Sequence, residues 1–562
     1  MSNLHVDFAK LVMGGQPPEG DDEFENPGFE PEQKECKVKQ SFQLMPHQVE
    51  ALEWMRAREA DVYFPSGMLG MLMGLGKTFT SLSIIHETTK AGPTLVVCPK
   101  TAIYTWEEQV EKFYGDSLNV LVFRKDRAKL DVINKDILLS YDVIVTNYEY
   151  IRSLVKTLNL SDKIEIKEGV KIVGMNIPTS PLMNVDVGEA LLFSHKWNRI
   201  IADESHNFSN NKTSLWRSMM CLAGTHRWCL TGTPIRNYDN DIYSQFKWMG
   251  YRDRRFNPSG FRKLALQRFI HFVDYDKAGV QLPQVHFNKE TVQLEGEQKE
   301  MYSYYLKSAR EAFRKYVAGC RTFTCVLVMF LRLRQACVAP YTITPLSNRN
   351  QVMTEEQKQE YMESQREIAK ELPHLIPWLN NRDSTAGARA CKIVRTIEIL
   401  LAVPAGEKAV VFTMFPRAID LMMECLGDRK SYIHIDGSVT GKNRDHALHS
   451  FKYGDTEVLF ISYKVGSESL NLTEANHIIL LEGWWSNAVL EQAKSRVCRM
   501  GQSKPIHIHQ LIVSFEEGQS IETSMMALCL RKKEIADKFL ESGKIGGEGE
   551  GINAEMLQDI LF

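Results

Sequence analysis

The sequence predicts an α/β fold built from two parallel sheets with helical insertions between them, and three observations carry that prediction. Short, near-continuous apolar runs recur at Thr94 to Cys98, Val143 to Asn147, Ile200 to Asp203, Arg227 to Thr231, Ala409 to Thr413, Glu457 to Ser462 and His477 to Leu481. Helical patterns separate these runs, as expected for strands covered on both faces of a parallel sheet. The chain's 562 residues also exceed what one hydrophobic core usually serves, which calls for two principal domains.

The elements follow in order along the chain. Gln16 to Glu35 is rich in acids, proline and glycine and poor in aliphatics, so residues 1–40 are expected to be a disordered acidic tail. Residues 41–290 form the first sheet domain. Between Asn237 and Lys408 the strand signal fades and helical patterns take over, including Glu297 to Gln335 and the charged run Thr354 to Glu371. That interval is too long for a linker, so residues 291–385 are expected to be folded helical insertions. Residues 386–530 form the second sheet domain, and residues 531–562 a helix, a glycine-rich spacer and a tail. The apolar-patterned end, Ile552 to Phe562, suits docking to a protein partner and packing on its own chain about equally.

Composition narrows the class. The content of 44% hydrophobic and 25% charged residues is that of an ordinary globular protein. A formal charge of -2 gives no global attraction to nucleic acid, so any phosphate-binding surface must be a local cleft. Eleven cysteines without a CxxC pair, among them Cys98, Cys229 and Cys425 in apolar runs, read as reduced thiols and not as a disulfide frame or zinc site. No apolar stretch approaches the roughly 20 residues that cross a bilayer, and no basic-then-apolar leader opens the chain, so an unsecreted protein without a membrane role is expected.

Chemistry concentrates in four segments. The run Met71, Leu72, Met73, Gly74, Leu75, Gly76, Lys77, Thr78 has the makings of a phosphate-binding loop. Its two glycines let a backbone wrap a phosphate chain, Lys77 supplies a cation, and Thr78 a hydroxyl suited to magnesium. The strict pattern places glycine at 71, where this chain has methionine, with Gly70 one residue earlier. Ile200 to His206 is an apolar strand ending in two acids, from which Asp203 is expected to hold magnesium and Glu204 to orient or deprotonate an attacking water. In Leu230 to Asn237, the small polar residues Thr231, Gly232 and Thr233 follow a short strand and suit a segment that senses a γ-phosphate. Downstream, Gln492, Arg496 and Arg499 lie in EQAKSRVCRMGQ. The two arginines are three apart, on one face if the segment is helical, and fit to neutralise charge on a transferred phosphoryl group.

Together these segments resemble the Swi/Snf-type ATPases of helicase superfamily two, over most of the chain from Leu44 to about Glu522. LMPHQVEALEWM from Leu44 is similar to the family's adenine-reading segment, which implies that Gln48 faces the base. WNRIIADESHNFSN from Trp197 resembles the DEAH-type segment, with Ser205 where alanine is usual and His206 after it. PTLVVCPKTAIYTWEEQVEKF from Pro93 and YDVIVTNYEYI from Tyr141 look like first-lobe motifs that touch DNA. LRLRQACVAP from Leu331 is similar to a family signature, and KAVVFTMF, YIHIDGSVTGKNRD and SYKVGSESLNLTEANHIILLEGWW keep the second-lobe order.

The resemblance implies two RecA-like lobes, ATP and Mg2+ as cofactors, Thr78 and Asp203 on the metal, and double-stranded DNA as the partner. Asp203, Glu204, Arg496 and Arg499 are then catalytic; Ser205, His206, Thr231, Gly232, Thr233 and Gln492 couple nucleotide to movement; Lys100, Thr146, Asn147, Ser462 and Lys464 touch DNA. It also implies a nuclear address or a viral or DNA replication site. Departures are Met71 and Leu72 in place of an acidic pair, Ser467 and Ser469 in place of glycines, and FIHFVDYD where a doubled arginine is usual before Leu282 and Pro283. Two alternatives stay open beside the duplex translocase: a strand-separating or RNA-dependent ATPase, and a non-catalytic nucleotide-gated scaffold.

Overall fold

The structure is a computed structural model. It describes residues 42–62, 64–124, 133–160, 180–186, 188–232, 239–251, 268–281, 283–343, 366, 368–375, 389–439, 441–466, 470–483, 487–499, 502–515, 519–530, 558, 560 and 561. The expected acidic tail, most of Thr354 to Glu371, Thr233, Ser467, Ser469, Leu282 and the glycine-rich spacer lie outside the described residues.

By packing, the chain divides into two compact units. One comprises Met1–Glu53, Thr78–Ile201 and Arg217–His226; the other comprises Trp54–Lys77, Ala202–Trp216 and Arg227–Phe562.

The first sheet is built from β1 (Gly67–Met71), β2 (Thr94–Cys98), β3 (Val120–Val122), β4 (Val143–Asn147), β5 (Trp197–Asp203), β6 (Gly224–Leu230) and β7 (Ile270–Val273). Its strand order is β3-β4-β2-β5-β6-β1-β7, with β1 parallel to both β6 and β7. β1, β2 and β4 are buried at every position, as strands covered on both faces of a parallel sheet must be. Cys98 and Cys229 are buried in these strands, while Cys425 is half-buried.

The second sheet contains β8 (Val285–Val292), β9 (Ala409–Thr413), β10 (Tyr432–Ile435), β11 (Val458–Ser462), β12 (His477–Leu480) and β13 (Ile506–Val513), in the order β10-β11-β9-β12-β13-β8. These strands also pair in parallel. One face packs on a helical layer through Met301, Tyr305, Phe330 and Leu400, and the other buries Phe412, Phe451 and Val497. The fold class is the expected one, two parallel-sheet α/β bodies with helices.

Two expectations change in detail. The helical pattern of Glu297 to Gln335 is not one helix. It forms two, Gly296–Val317 and Phe323–Val338, because the chain turns at Gly319, whose φ of 72° interrupts an α-helix. The interval read as helical also holds β7 and β8, and β8 runs across the expected boundary at 290 to pair with β13 along its length. At the far end, Ile560 and Leu561 are buried in the core, and Arg310 Nε donates to the Leu561 carbonyl at 2.5 Å. Of the two readings of the tail, its described residues pack on their own chain.

A charged network is buried inside the second sheet's unit. Lys392 Nζ donates to Glu522 Oε1 at 2.7 Å and to the carbonyls of Leu481 and Leu511. Glu482, at the end of β12, accepts from the Met414 amide and the Thr413 hydroxyl, and the Tyr463 hydroxyl donates to its carbonyl. Arg334, in the LRLRQACVAP segment, donates to the Gly483 carbonyl at 2.7 Å. Arg334 and Glu482 are both nearly inaccessible to solvent.

Candidate functional site

The glycine-rich loop leaves β1 at Met71 and runs directly into the helix Lys77–Glu87, so a strand end and a helix start frame it. Gly74 and Gly76 have φ of 85° and 86°, a left-handed backbone open to glycine and costly for other residues. Lys77 is buried, and its Nζ donates to the Met71 carbonyl at 2.7 Å. Burial lowers the Lys77 pKa, and the neighbouring charges of Arg496 and Arg499 act in the same direction; Glu204 and Asp203 oppose them.

The acids stand at the carboxyl end of β5, where an α/β sheet presents functional groups. Asp203 Oδ1 accepts from the Glu204 amide at 3.0 Å, and Glu204 adopts the left-handed conformation at φ 50°. A non-glycine residue held there carries local strain, a feature that collects at functional sites. Burial pushes the Glu204 carboxyl up, but the hydrogen bond and charge of His206, with Lys77 and Arg496, outweigh it and hold its pKa at about 2. His206 Nδ1 lies 3.3 Å from Glu204 Oε2 and 3.2 Å from Thr231 Oγ1, which joins the acidic segment to the end of β6.

Gly232 approaches the loop closely. A Cβ there would stand 3.1 Å from the Met71 carbonyl oxygen and 3.7 Å from Lys77 Nζ. Ser205 is buried and donates to Gln245 Oε1 at 2.5 Å, so the departure from alanine is satisfied by a partner on the helix Asp239–Met249.

Arg496 and Arg499 do not lie on a helical face. The helix Asn487–Lys494 ends before them, and they occupy the turns that follow. The Leu472 amide donates to the Arg496 carbonyl at 3.0 Å, and Gln502 Nε2 donates to the carbonyls of Thr473 and Ala475, which fixes the turn on the loop after β11. Arg499 Nη1 donates to the Leu470 carbonyl at 3.3 Å. A Cβ added at Gly74 would lie 3.3 Å from Arg499 Cβ, so the arginine stem runs against the loop. Lys77, Asp203, Glu204, Arg496 and Arg499 all fall in the same compact unit.

Other expected site residues take internal positions. Gln48 Oε1 accepts from the Met45 amide at the start of the helix Pro46–Glu59. Thr146 is fully buried and donates to the Phe123 carbonyl at 3.0 Å. Asn147 Oδ1 accepts from the Tyr150 amide and caps the helix Tyr148–Thr157. Lys100 is exposed, Ser462 is buried at the end of β11, and the side chains of Lys464 and Gln492 are outside the described set. Contacts that no sequence pattern marks include Gln245, which accepts from Ser205, and Ser495, which donates to Met73 Sδ at 2.7 Å. Ser495 sits beside Arg496 in the arginine run, where a serine carries no charge to mark it.

Residues 47–253 match the SNF2-related domain, and residues 391–501 match the helicase conserved C-terminal domain. The chain is 33% identical to the putative helicase 172L of Invertebrate iridescent virus 6, over 90% of this chain and 92% of the relative. The chain belongs to the SNF2-related family. It is accordingly an ATP hydrolase of the Swi/Snf type within helicase superfamily two. The DNA repair protein RAD5 of Yarrowia lipolytica is 24% identical over 88% of this chain, which spans 57% of that relative. Among solved structures, the Sulfolobus solfataricus SWI2/SNF2 ATPase core in complex with dsDNA is 20% identical, covering 92% of this chain and 97% of its own, at a TM-score of 0.36. Among the described residues of this SNF2-family chain, no helix is long and apolar enough to cross a membrane.

Proposed function

We propose that this SNF2-family chain is a DNA-dependent ATPase that couples ATP hydrolysis to movement along, or remodelling of, double-stranded DNA and its bound proteins. The observation that carries the reading is the charge balance at the glycine-rich loop. Three cations, Lys77, Arg496 and Arg499, meet two carboxylates, Asp203 and Glu204, with Lys77 buried. Such a surplus of buried positive charge favours an anionic ligand, and a phosphate chain is the ligand that a loop with two left-handed glycines accommodates.

The residues fit both ATP and magnesium. Magnesium takes one or two protein oxygens and completes its shell with phosphate and water, which suits Thr78 and Asp203. Among the described residues no group of three or more metal-ligating side chains gathers. Bound there, the ion would neutralise phosphate charge and polarise the transferred group. Lys77 and the Gly74 and Gly76 amides bind and orient the phosphates. Glu204, ionised with a pKa of about 2, accepts a hydrogen bond from the attacking water and orients it, a role that needs no high basicity. Arg496 and Arg499 stabilise charge on the phosphoryl oxygens. His206 carries the state of Glu204 to Thr231, and Lys100, Ser462 and Lys464 are the proposed DNA contacts, with Thr146 and Asn147 supporting them from within. The protein then works where DNA is, in a nucleus or at a viral replication site.

Phosphate release measured with duplex DNA, single-stranded DNA and RNA tests this reading. Stimulation by duplex, with no strand separation in a fluorescence unwinding assay, is expected. Strand separation or selective RNA stimulation would favour the helicase alternative, and no turnover at all the scaffold.

A further inference from the structure

The segment after β7 grips the glycine-rich loop through a residue that none of the motifs contains. The Leu72 amide donates to the Val273 carbonyl at 3.0 Å, carrying the β1–β7 pairing one residue past Met71. Two residues later, the Tyr275 hydroxyl donates to the Met73 carbonyl at 2.8 Å. The Met71 carbonyl is already taken by Lys77 Nζ at 2.7 Å, and the Met73 sulfur accepts from Ser495 Oγ at 2.7 Å. Met73 is therefore tied from two sides, by its backbone to Tyr275 and by its side chain to the turn that carries the arginines.

The consequence follows from peptide geometry. A trans peptide is planar, and its carbonyl and its N–H point in opposite directions. Holding the Met73 carbonyl against Tyr275 therefore directs the Gly74 amide to the other side of the loop. Gly74 is the first of the two left-handed residues, and successive amides turned to one side of such a loop form an anion-binding concavity. Tyr275 is half-buried; burial raises its phenol pKa, Cys498 and Glu491 add to the rise, and Arg499 opposes it. The phenol thus remains a protonated donor at neutral pH.

We propose that Tyr275 is a positioning residue of the nucleotide site, whose hydroxyl holds the Met73 carbonyl so that the Gly74 amide faces the phosphates of a bound nucleotide. The inference rests on the reading of this loop as the ATP site. It also gives a role to FIHFVDYD, which ends one residue beyond Tyr275 and stands where the doubled arginine of the family is expected.

The test is Tyr275→Phe, which removes the hydroxyl and nothing else. Equilibrium titration with a fluorescent ADP analogue should give a Kd about three- to tenfold weaker, the range for one neutral hydrogen bond. KM for ATP should rise in step, with kcat at saturating ATP within about twofold of the parent. Lys77→Ala, assayed alongside, should lose turnover. If Lys77→Ala keeps turnover, the ATP-site reading fails and the role of Tyr275 fails with it. If Lys77→Ala loses turnover while Tyr275→Phe keeps the parent Kd and KM, the positioning role alone is overturned. A lowered melting temperature with unchanged Kd and KM overturns it equally, because it marks a bond that serves only the fold.

Discussion

His206 Nδ1 lies 3.2 Å from Thr231 Oγ1 and 3.3 Å from Glu204 Oε2, so one ring nitrogen faces both the acidic segment after β5 and the end of β6. The Thr231 contact is a hydrogen bond whose direction follows the ring tautomer, and the Glu204 contact is electrostatic, so the protonation of one imidazole bears on both neighbours.

That relationship predicts a loss of coupling. His206→Ala should leave basal ATP hydrolysis within about tenfold of the parent while cutting its stimulation by duplex DNA, since one hydrogen bond contributes about 0.5–1.5 kcal/mol. The double variant with Thr231→Val should be less damaged than the sum of the single changes. Phosphate release with and without DNA measures both quantities, and strictly additive effects would sever the link between the two residues.

Lys77→Ala should abolish ATP turnover and leave the fold intact. The ammonium is buried against a backbone carbonyl and burdened by two nearby guanidinium charges, so its removal relieves a costly cation. Thermal melting should stay within a few degrees, roughly the shift that 1 kcal/mol produces in a large domain. Unfolding of the variant would show that Lys77 serves the core.

Glu482 predicts a pH dependence of stability. Burial, with the charge of Glu522, pushes its carboxyl up to about 7, against the downward pull of the Met414 amide, Lys392 and Arg334. A carboxyl with a folded pKa above its unfolded value of 4.5 keeps its proton longer in the folded chain. Its contribution is therefore complete below the unfolded pKa and is lost as pH rises through the folded one. Between about pH 5 and pH 8 the loss should approach, at most, about 3 kcal/mol. Denaturant midpoints across that range measure it, and Glu482→Gln should flatten the slope. An unchanged slope in that variant would remove Glu482 as its source.

Much of the fold was legible because buried parallel strands leave an unbroken apolar trace. Thr94 to Cys98, Val143 to Asn147 and Ala409 to Thr413 are strands with those bounds. β1 leaves no such trace because GMLGM carries two glycines that weaken any strand signal. One of them, Gly67, is required because a Cβ would fall 2.7 Å from the rings of Trp228 and Trp54. β8 was hidden by its edge position, where exposed Val285 and Phe287 alternate with polar residues and no apolar run forms. At the site, motif residues were legible because phosphate chemistry demands particular residue types at fixed spacing. Tyr275 and Gln245 act through single hydrogen bonds to residues far away in sequence, and such partners leave no local pattern.

In the proposed mechanism the guanidinium groups of the EQAKSRVCRMGQ segment act on the phosphates held by the Lys77 loop. The most direct measurement is kcat of Arg499→Ala at saturating ATP and duplex DNA, with nucleotide Kd determined in parallel. A fall of about 10³-fold or more in kcat, with Kd changed much less, is predicted for an arginine that acts on the transition state. A parental kcat in that variant would contradict it.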